Sequence, residues 1–263
     1  MEQYQLMIRH SFIFLERIGS RKERQLWSQG IQSWQDFLKA QTIKGIPAIK
    51  KQYYDRKLRE SQQALAEDNS SFFIGKLKPK EMWRLYHYFK EECCFLDGEI
   101  DSSGRVILVG LSSEQQTKHF VCGANLEQLL LQKELEKYKL LITFNGSSFD
   151  LPKLKKQYGI TIGIPHIDLK PLCINLGLKG GLKEVEKGLH LQRPTHLYGN
   201  PVQLWKAFHA SGDKEYLELL IEYNREDTEN LKWIMDHIYK RMCTERTSTE
   251  IPKNEKNHPI YRQ

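Results

Sequence analysis

Near Cys93 the hydrophobic period changes from that of helices to that of strands, and this switch limits the chain to a helical leader followed by an α/β fold. Upstream, residues 23–39 place Leu26, Trp27, Ile31, Trp34, Phe37 and Leu38 at helical spacing, with Gly30 as a break. Pro47 suits the opening of a second helix, rich in Lys, Arg, Gln and Glu, that runs to about Glu67. Asp68-Asn69-Ser70-Ser71 reads as a loop, and Pro79 opens a third helix through Trp83, Leu85, Tyr86 and Phe89. Downstream, residues 93–100, 106–111 and 118–123 read as three short strands with tight connections, an antiparallel meander. An amphipathic helix over 125–137, a buried strand over 140–144, a short helix over 151–158, a strand over 166–169 and a long helix from Asp213 to about Lys240 follow. The order βββαβα(β)α is an α/β plan with a mixed sheet. The expected division is a helical, basic N-terminal region (1–90), an α/β domain (91–243) and a polar C-terminal tail (244–263).

With 40% hydrophobic and 28% charged residues among 263, the composition is that of a globular chain. No window approaches the roughly 18 uninterrupted apolar residues of a membrane span. Met1-Glu2-Gln3-Tyr4-Gln5 lacks the basic and apolar regions of a secretory signal, so a cytoplasmic protein without a membrane role is expected. Five cysteines, odd in number and without a C-x-x-C pair, read as reduced thiols. The net charge of +7 is unevenly spread: residues 1–90 hold 17 Lys and Arg against 9 Asp and Glu, whereas residues 91–150 hold 5 against 10. An acidic centre between basic flanks suits a metal-dependent enzyme acting on a polyphosphate, and equally a solvated surface.

Four acids stand where apolar residues are expected. Asp97 and Glu99, at i and i+2 of the first strand, leave the same face behind Phe95 and Leu96. Two like charges so placed are costly unless a cation lies between them, the alternative being the wet face of an edge strand. Asp150 follows the strand 140–144 and the turn 145–149, at the strand's carboxyl end, where α/β folds place ligands. A helix N-cap is its plainer role. On the last helix, Tyr216, Leu219, Leu220, Tyr223, Leu231, Ile234, Met235 and Ile238 form an apolar stripe, and steps of three and four land on Asp227. An inward carboxylate must be protonated, paired, for instance with Tyr223 one turn away, or bound to metal. An all-carboxylate set suits Mg²⁺ or Mn²⁺ rather than zinc.

Phe95-Leu96-Asp97-Gly98-Glu99, Thr143-Phe144-Asn145-Gly146-Ser147-Ser148-Phe149-Asp150-Leu151-Pro152 and Tyr223-Asn224-Arg225-Glu226-Asp227 together resemble the three exonuclease motifs of the DnaQ-like (DEDD) superfamily. Asn-Gly-x-x-Phe-Asp-x-Pro, the segment Gly181-Leu182-Lys183-Glu184-Val185-Glu186-Lys187 with Arg193 beyond it, and Leu26-Trp27-x-x-Gly30-Ile31-x-x-Trp34 are similar to the YprB-like group of 3′–5′ exonucleases. The resemblance implies an RNase H-like mixed sheet, three antiparallel strands then parallel ones, flanked by helices. It implies Asp97, Glu99, Asp150 and Asp227 as ligands of two divalent cations, Mg²⁺ or Mn²⁺. Tyr223, four residues before Asp227, matches the tyrosine subclass and would help orient the attacking water. Asn145, Lys183, Lys187 and Arg193 are the expected nucleic-acid contacts, a solvated helix face being the equal alternative for the three cations, and the implied substrate is the 3′ end of single-stranded DNA or RNA.

Two features depart from that pattern: Gly98 stands between the first two acids, and Ile100-Asp101-Ser102-Ser103-Gly104 follows Glu99. They touch the loop expected to meet the terminal nucleotide. A catalytically impaired nucleic-acid-binding module of the same fold is therefore the second reading.

Overall fold

The structure, a computed structural model, describes residues 7–197 and 200–248. In the N-terminal region α1 (Ser20–Ser28) stops ahead of Gly30, whose φ of +83° favours glycine. A capping box opens α2 (Trp34–Lys39): the Ser33 hydroxyl accepts the Asp36 amide, and the Asp36 carboxylate accepts the Ser33 amide. Pro47 directly precedes α3 (Ala48–Ala66). The third expected helix is a 3-10 helix, Pro79–Leu85. Met82, Trp83, Arg84 and Leu85 are buried in succession, because Arg84 turns inward to the buried Glu23 while Trp83 meets Tyr239. A stretch enclosed on every side has no single wet stripe to give an α-helix its usual amphipathic face.

β1 (Cys93–Ile100), β2 (Val106–Ser112) and β3 (Thr117–Val121) form the antiparallel meander. β4 (Leu140–Thr143) and β5 (His166–Asp168) continue the sheet in parallel on the other side of β1, giving the order β3-β2-β1-β4-β5. The mixed sheet with flanking helices and a helical N-terminal region is the expected fold class. α4 (Gln128–Leu135) starts three residues later than the pattern suggests. Asn125 closes the turn after β3 instead, accepting the Val121 amide at 2.6 Å and donating to the His119 carbonyl at 3.0 Å.

α5 (Asp150–Tyr158) follows β4, and α6 (Leu169–Asn175) follows β5. α7 (Leu182–Gly188) and α8 (Pro201–Ser211) lead to α9 (Lys214–Ser248). The sequence reading does not anticipate α8, although its signals are present: Asn200 caps the Val202 amide, Pro201 opens the helix and Gly212 ends it at φ +72°. α9 runs past Lys240, so Thr244 and the four residues after it belong to a helix rather than to the expected tail; the rest of that tail lies outside the described residues.

The two faces of β1 bury different partners. Cys93 and Phe95 join Leu140, Ile142, Leu231, Ile234, Ile238 and the N-terminal aromatic core. Cys94 and Leu96 join Leu131 and Leu135 of α4 and Leu154 of α5. Phe37, Phe95 and Ile142 are each buried, and a side chain of that size contributes roughly 1.5–3 kcal/mol by leaving water. By alternation Asp97 and Glu99 continue the face that α9 covers, and Gly98 the face that α5 covers. Gly110, paired with Asp97 across β1 and β2, lets α9 lie close to the sheet. A Cβ there would stand 2.2 Å from Asn224 Oδ1 and 2.6 Å from Thr228 Oγ1.

Candidate active site

Asp97, Glu99 and Asp227 each turn a carboxylate oxygen into one pocket, all within 4.8 Å of one another. β1 supplies the first two by its alternation, and the inward stripe of α9 supplies the third. Asn224, one turn before Asp227 and fully buried, donates Nδ2 to Asp97 Oδ2 at 3.0 Å. Asp150 comes from the other side of the strand. It opens α5, and its Oδ1 would lie 3.0 Å from a Cβ on Gly98, so the missing side chain at 98 is what admits it. Three of the four expected acids thus share one pocket, and the fourth meets β1 between the first two from the opposite face.

The loop that carries Asp150 is held by Asp168. Its carboxylate accepts the amides of Asn145 at 2.7 Å, Ser147 at 3.1 Å and Lys170 at 3.1 Å, which also caps α6. Asn145 takes the left-handed φ of +66°, which Asn tolerates better than most residues. His166 Nε2 lies 2.9 Å from Thr143 Oγ1, and burial pushes its pKa down to about 4, so its ring is neutral. His166 and Asp168 shape the scaffold around the acids.

Burial in a shared pocket lifts every acid. Asp97 is pushed well up by burial and then by the charges of Asp227, Glu99 and Asp150. Glu99 rises to about 8, through burial and Asp227, and Asp150 to about 7, through burial with Asp168 adding to it. Asp227 rises only to about 6, because Arg193 opposes the effect of its burial. The Tyr223 phenol is raised above its ordinary value by burial and the charge of Asp227. A group of carboxylates so disposed to hold protons is one that a divalent cation would discharge.

The expected basic residues occupy different places. Lys183 Nζ lies 4.5 Å from the centre of the Tyr223 ring, and its charge lowers the pKa of both Glu99 and Asp227. Lys187 is exposed and lines an open cleft of about 730 Å³ with Lys183, His190 and Arg193. Arg193 is not a free surface cation: its guanidinium is buried between Glu186 and Asp227, in direct contact with both. A separate cavity of about 580 Å³, lined in part by Phe14, Tyr53, Lys57 and Phe72, contains none of the acids.

Sequence reasoning overlooked Asn224 and Glu186. Asn224 falls four residues after Leu220 and three before Asp227, so its inward position was there to be found. Glu186 lies between Lys183 and Arg193 in a segment whose charges read as a solvated face; it is 1% exposed. The site fits divalent ions by its donor chemistry, since the ligand atoms on offer are all carboxylate oxygens. A guanidinium already serves as counter-cation at the Asp227 corner.

The sequence model of the RNase_H_2 family, RNase H superfamily, matches residues 94–239. No curated protein matches the sequence. Among solved structures, the chain is similar to the family B DNA polymerase from the hyperthermophilic archaeon Pyrobaculum calidifontis, at 12% identity and a TM-score of 0.45. That likeness covers 61% of this chain and 26% of the polymerase, so the chain spans about a quarter of its length. Among the described residues no helix is long and apolar enough to cross a membrane.

Proposed function

The chain belongs to the RNase H superfamily, and from that premise we propose that it hydrolyses nucleic-acid phosphodiester bonds with two divalent cations, Mg²⁺ or Mn²⁺. The reaction is the removal of nucleotides from the 3′ end of single-stranded DNA or RNA. The observation that carries this reading is the meeting of Asp97, Glu99 and Asp227, from two distant segments, within 4.8 Å. Asp97, Glu99, Asp150 and Asp227 hold the ions. When bound, the ions would lower the pKa of a water and stabilise the charge that develops on the leaving oxygen. Tyr223 orients the water by hydrogen bonding and keeps its proton, since burial raises its pKa. Lys183, Lys187, Arg193 and Asn145 hold the strand, the two lysines by neutralising phosphates without reading sequence. The closer likeness to YprB-like exonucleases, the division at residue 90 and a cytoplasmic workplace belong to the same reading.

A second reading has its own support. Arg193 occupies Asp227, and Asp150 meets β1 from the opposite face, as suits a module that binds nucleic acid with impaired chemistry. A 5′-labelled single strand with Mn²⁺, beside Asp227→Asn and EDTA controls, separates the two. A ladder of shortened products that both controls abolish supports the enzyme. Binding without cleavage supports the module, and internal cuts in an end-blocked strand point to an endonuclease.

A further inference from the structure

Glu186 is buried and fully engaged, yet none of its partners is another acid. Its oxygens accept Arg193 Nε at 2.6 Å, Arg193 Nη2 at 2.7 Å and Asn230 Nδ2 at 3.0 Å. Arg193 Nη2 also donates to Asp227. A guanidinium is planar, with five donors in a fixed fork. Nε and Nη2 form the edge that faces Glu186. The second N–H of Nη2 lies on the next edge, parallel to one N–H of Nη1. Nη1 is buried and, among the described residues, has no partner. The edge directed at Asp227 therefore presents two N–H groups, one taken by that carboxylate and one unused.

We infer that Glu186 is a positioning residue that locks the Arg193 fork, so that its free Nη1 N–H receives a non-bridging oxygen of the phosphodiester held beside Asp227. The acceptor class follows from the surroundings. Lys183 and Lys187 line the same cleft as Arg193, three cations against the carboxylates of Glu184 and Glu186, and that positive excess favours an anion. The Arg193 guanidinium lies 5.7 Å from the centre of the Tyr223 ring, next to the residue proposed to orient the water. Donation from a buried, pre-oriented guanidinium is stronger and more directional than from a mobile lysine. The identity of the anion as a nucleic-acid phosphate rests on the nuclease reading; the lock of Glu186 on Arg193 does not.

The test measures binding of a fluorescein-labelled dT6 strand to the full chain in EDTA, so that hydrolysis plays no part. Arg193→Ala is expected to weaken binding about ten-fold, the worth of one charge-assisted hydrogen bond. Millimolar guanidinium, at constant ionic strength, should restore binding to Arg193→Ala but not to the Arg193→Ala/Glu186→Gln double variant. Methylammonium, which has no fork, should restore neither. Unchanged binding by Arg193→Ala, or guanidinium rescue that ignores Glu186, overturns the inference. Should Arg193→Ala fail to fold, Arg193→Lys replaces it: weakened binding supports the proposal, and wild-type binding contradicts it. Failure of the wild-type chain to cut any strand would leave these binding outcomes readable, so the two proposals fail separately.

Discussion

Asn224 of α9 donates its side-chain amide to the carboxylate of Asp97 on β1 at 3.0 Å, tying the helix to the strand at the point where the acids meet. The approach depends on Gly110, since Asn224 Oδ1 occupies the space that a Cβ there would need. Gly110→Ala should push α9 from the sheet and destabilise the protein by roughly 1–3 kcal/mol, the range for overpacking. Denaturant unfolding gives the stability, and the same variant should bind Mn²⁺ more weakly than wild type. Wild-type values of both would show that α9 needs no close contact at this position.

Stability should fall with rising pH when divalent ions are removed. Folding raises Asp227 to about 6, Asp150 to about 7 and Glu99 to about 8. Raised carboxylates hold protons more tightly in the folded state than in the unfolded chain. Their contribution is complete below the ordinary carboxylate value near 4 and is lost as pH climbs through about 6 to 8. Melting temperature in EDTA should drop between pH 5 and pH 9, and Mn²⁺ should raise it more at pH 8 than at pH 5. A melting temperature that rises over this window in EDTA contradicts the burial of these acids.

Two substitutions at Asp227 should behave differently. Asp227→Ala strips the buried Arg193 of one partner, and loss of one member of a buried ion pair costs about 3–5 kcal/mol. Glu186 still holds Arg193, so the lower end of that range is expected. Asp227→Asn keeps an acceptor for Arg193 and should cost less, while both abolish hydrolysis. Thermal melts beside a strand-shortening assay check the pair. Equal destabilisation would mean that Arg193 gains nothing from the Asn oxygen.

Tyr223→Phe removes a hydroxyl whose proton stays in place at neutral pH. If it orients water by one hydrogen bond, kcat should fall about ten-fold, equivalent to roughly 1.4 kcal/mol, with KM little changed. The pH–rate profile should keep its shape. Loss of a basic limb in Tyr223→Phe would instead mean that the phenol titrates in the reaction.

The strand meander and the inward position of Asp227 were legible because period-2 and period-3.6 patterns map directly onto buried faces. Glu186 was not, since a charge between lysines reads as solvated until the loop beyond α7 folds Arg193 back over it. The paired approach of Asp150 and Gly98 was hidden for a related reason: strand alternation separates Gly98 from Asp97 and Glu99, but only the three-dimensional arrangement brings α5 to that face. The 3-10 helix at Pro79–Leu85 likewise reflects tertiary enclosure rather than local preference.

Anomalous diffraction from crystals grown with Mn²⁺ would show whether the acids of β1 and α9 capture a cation. The predicted result is a manganese peak within coordination distance of Asp97, Glu99 and Asp227, absent in Asp227→Asn. A well-ordered site with no peak, and Arg193 still seated on Asp227 at saturating Mn²⁺, would contradict it.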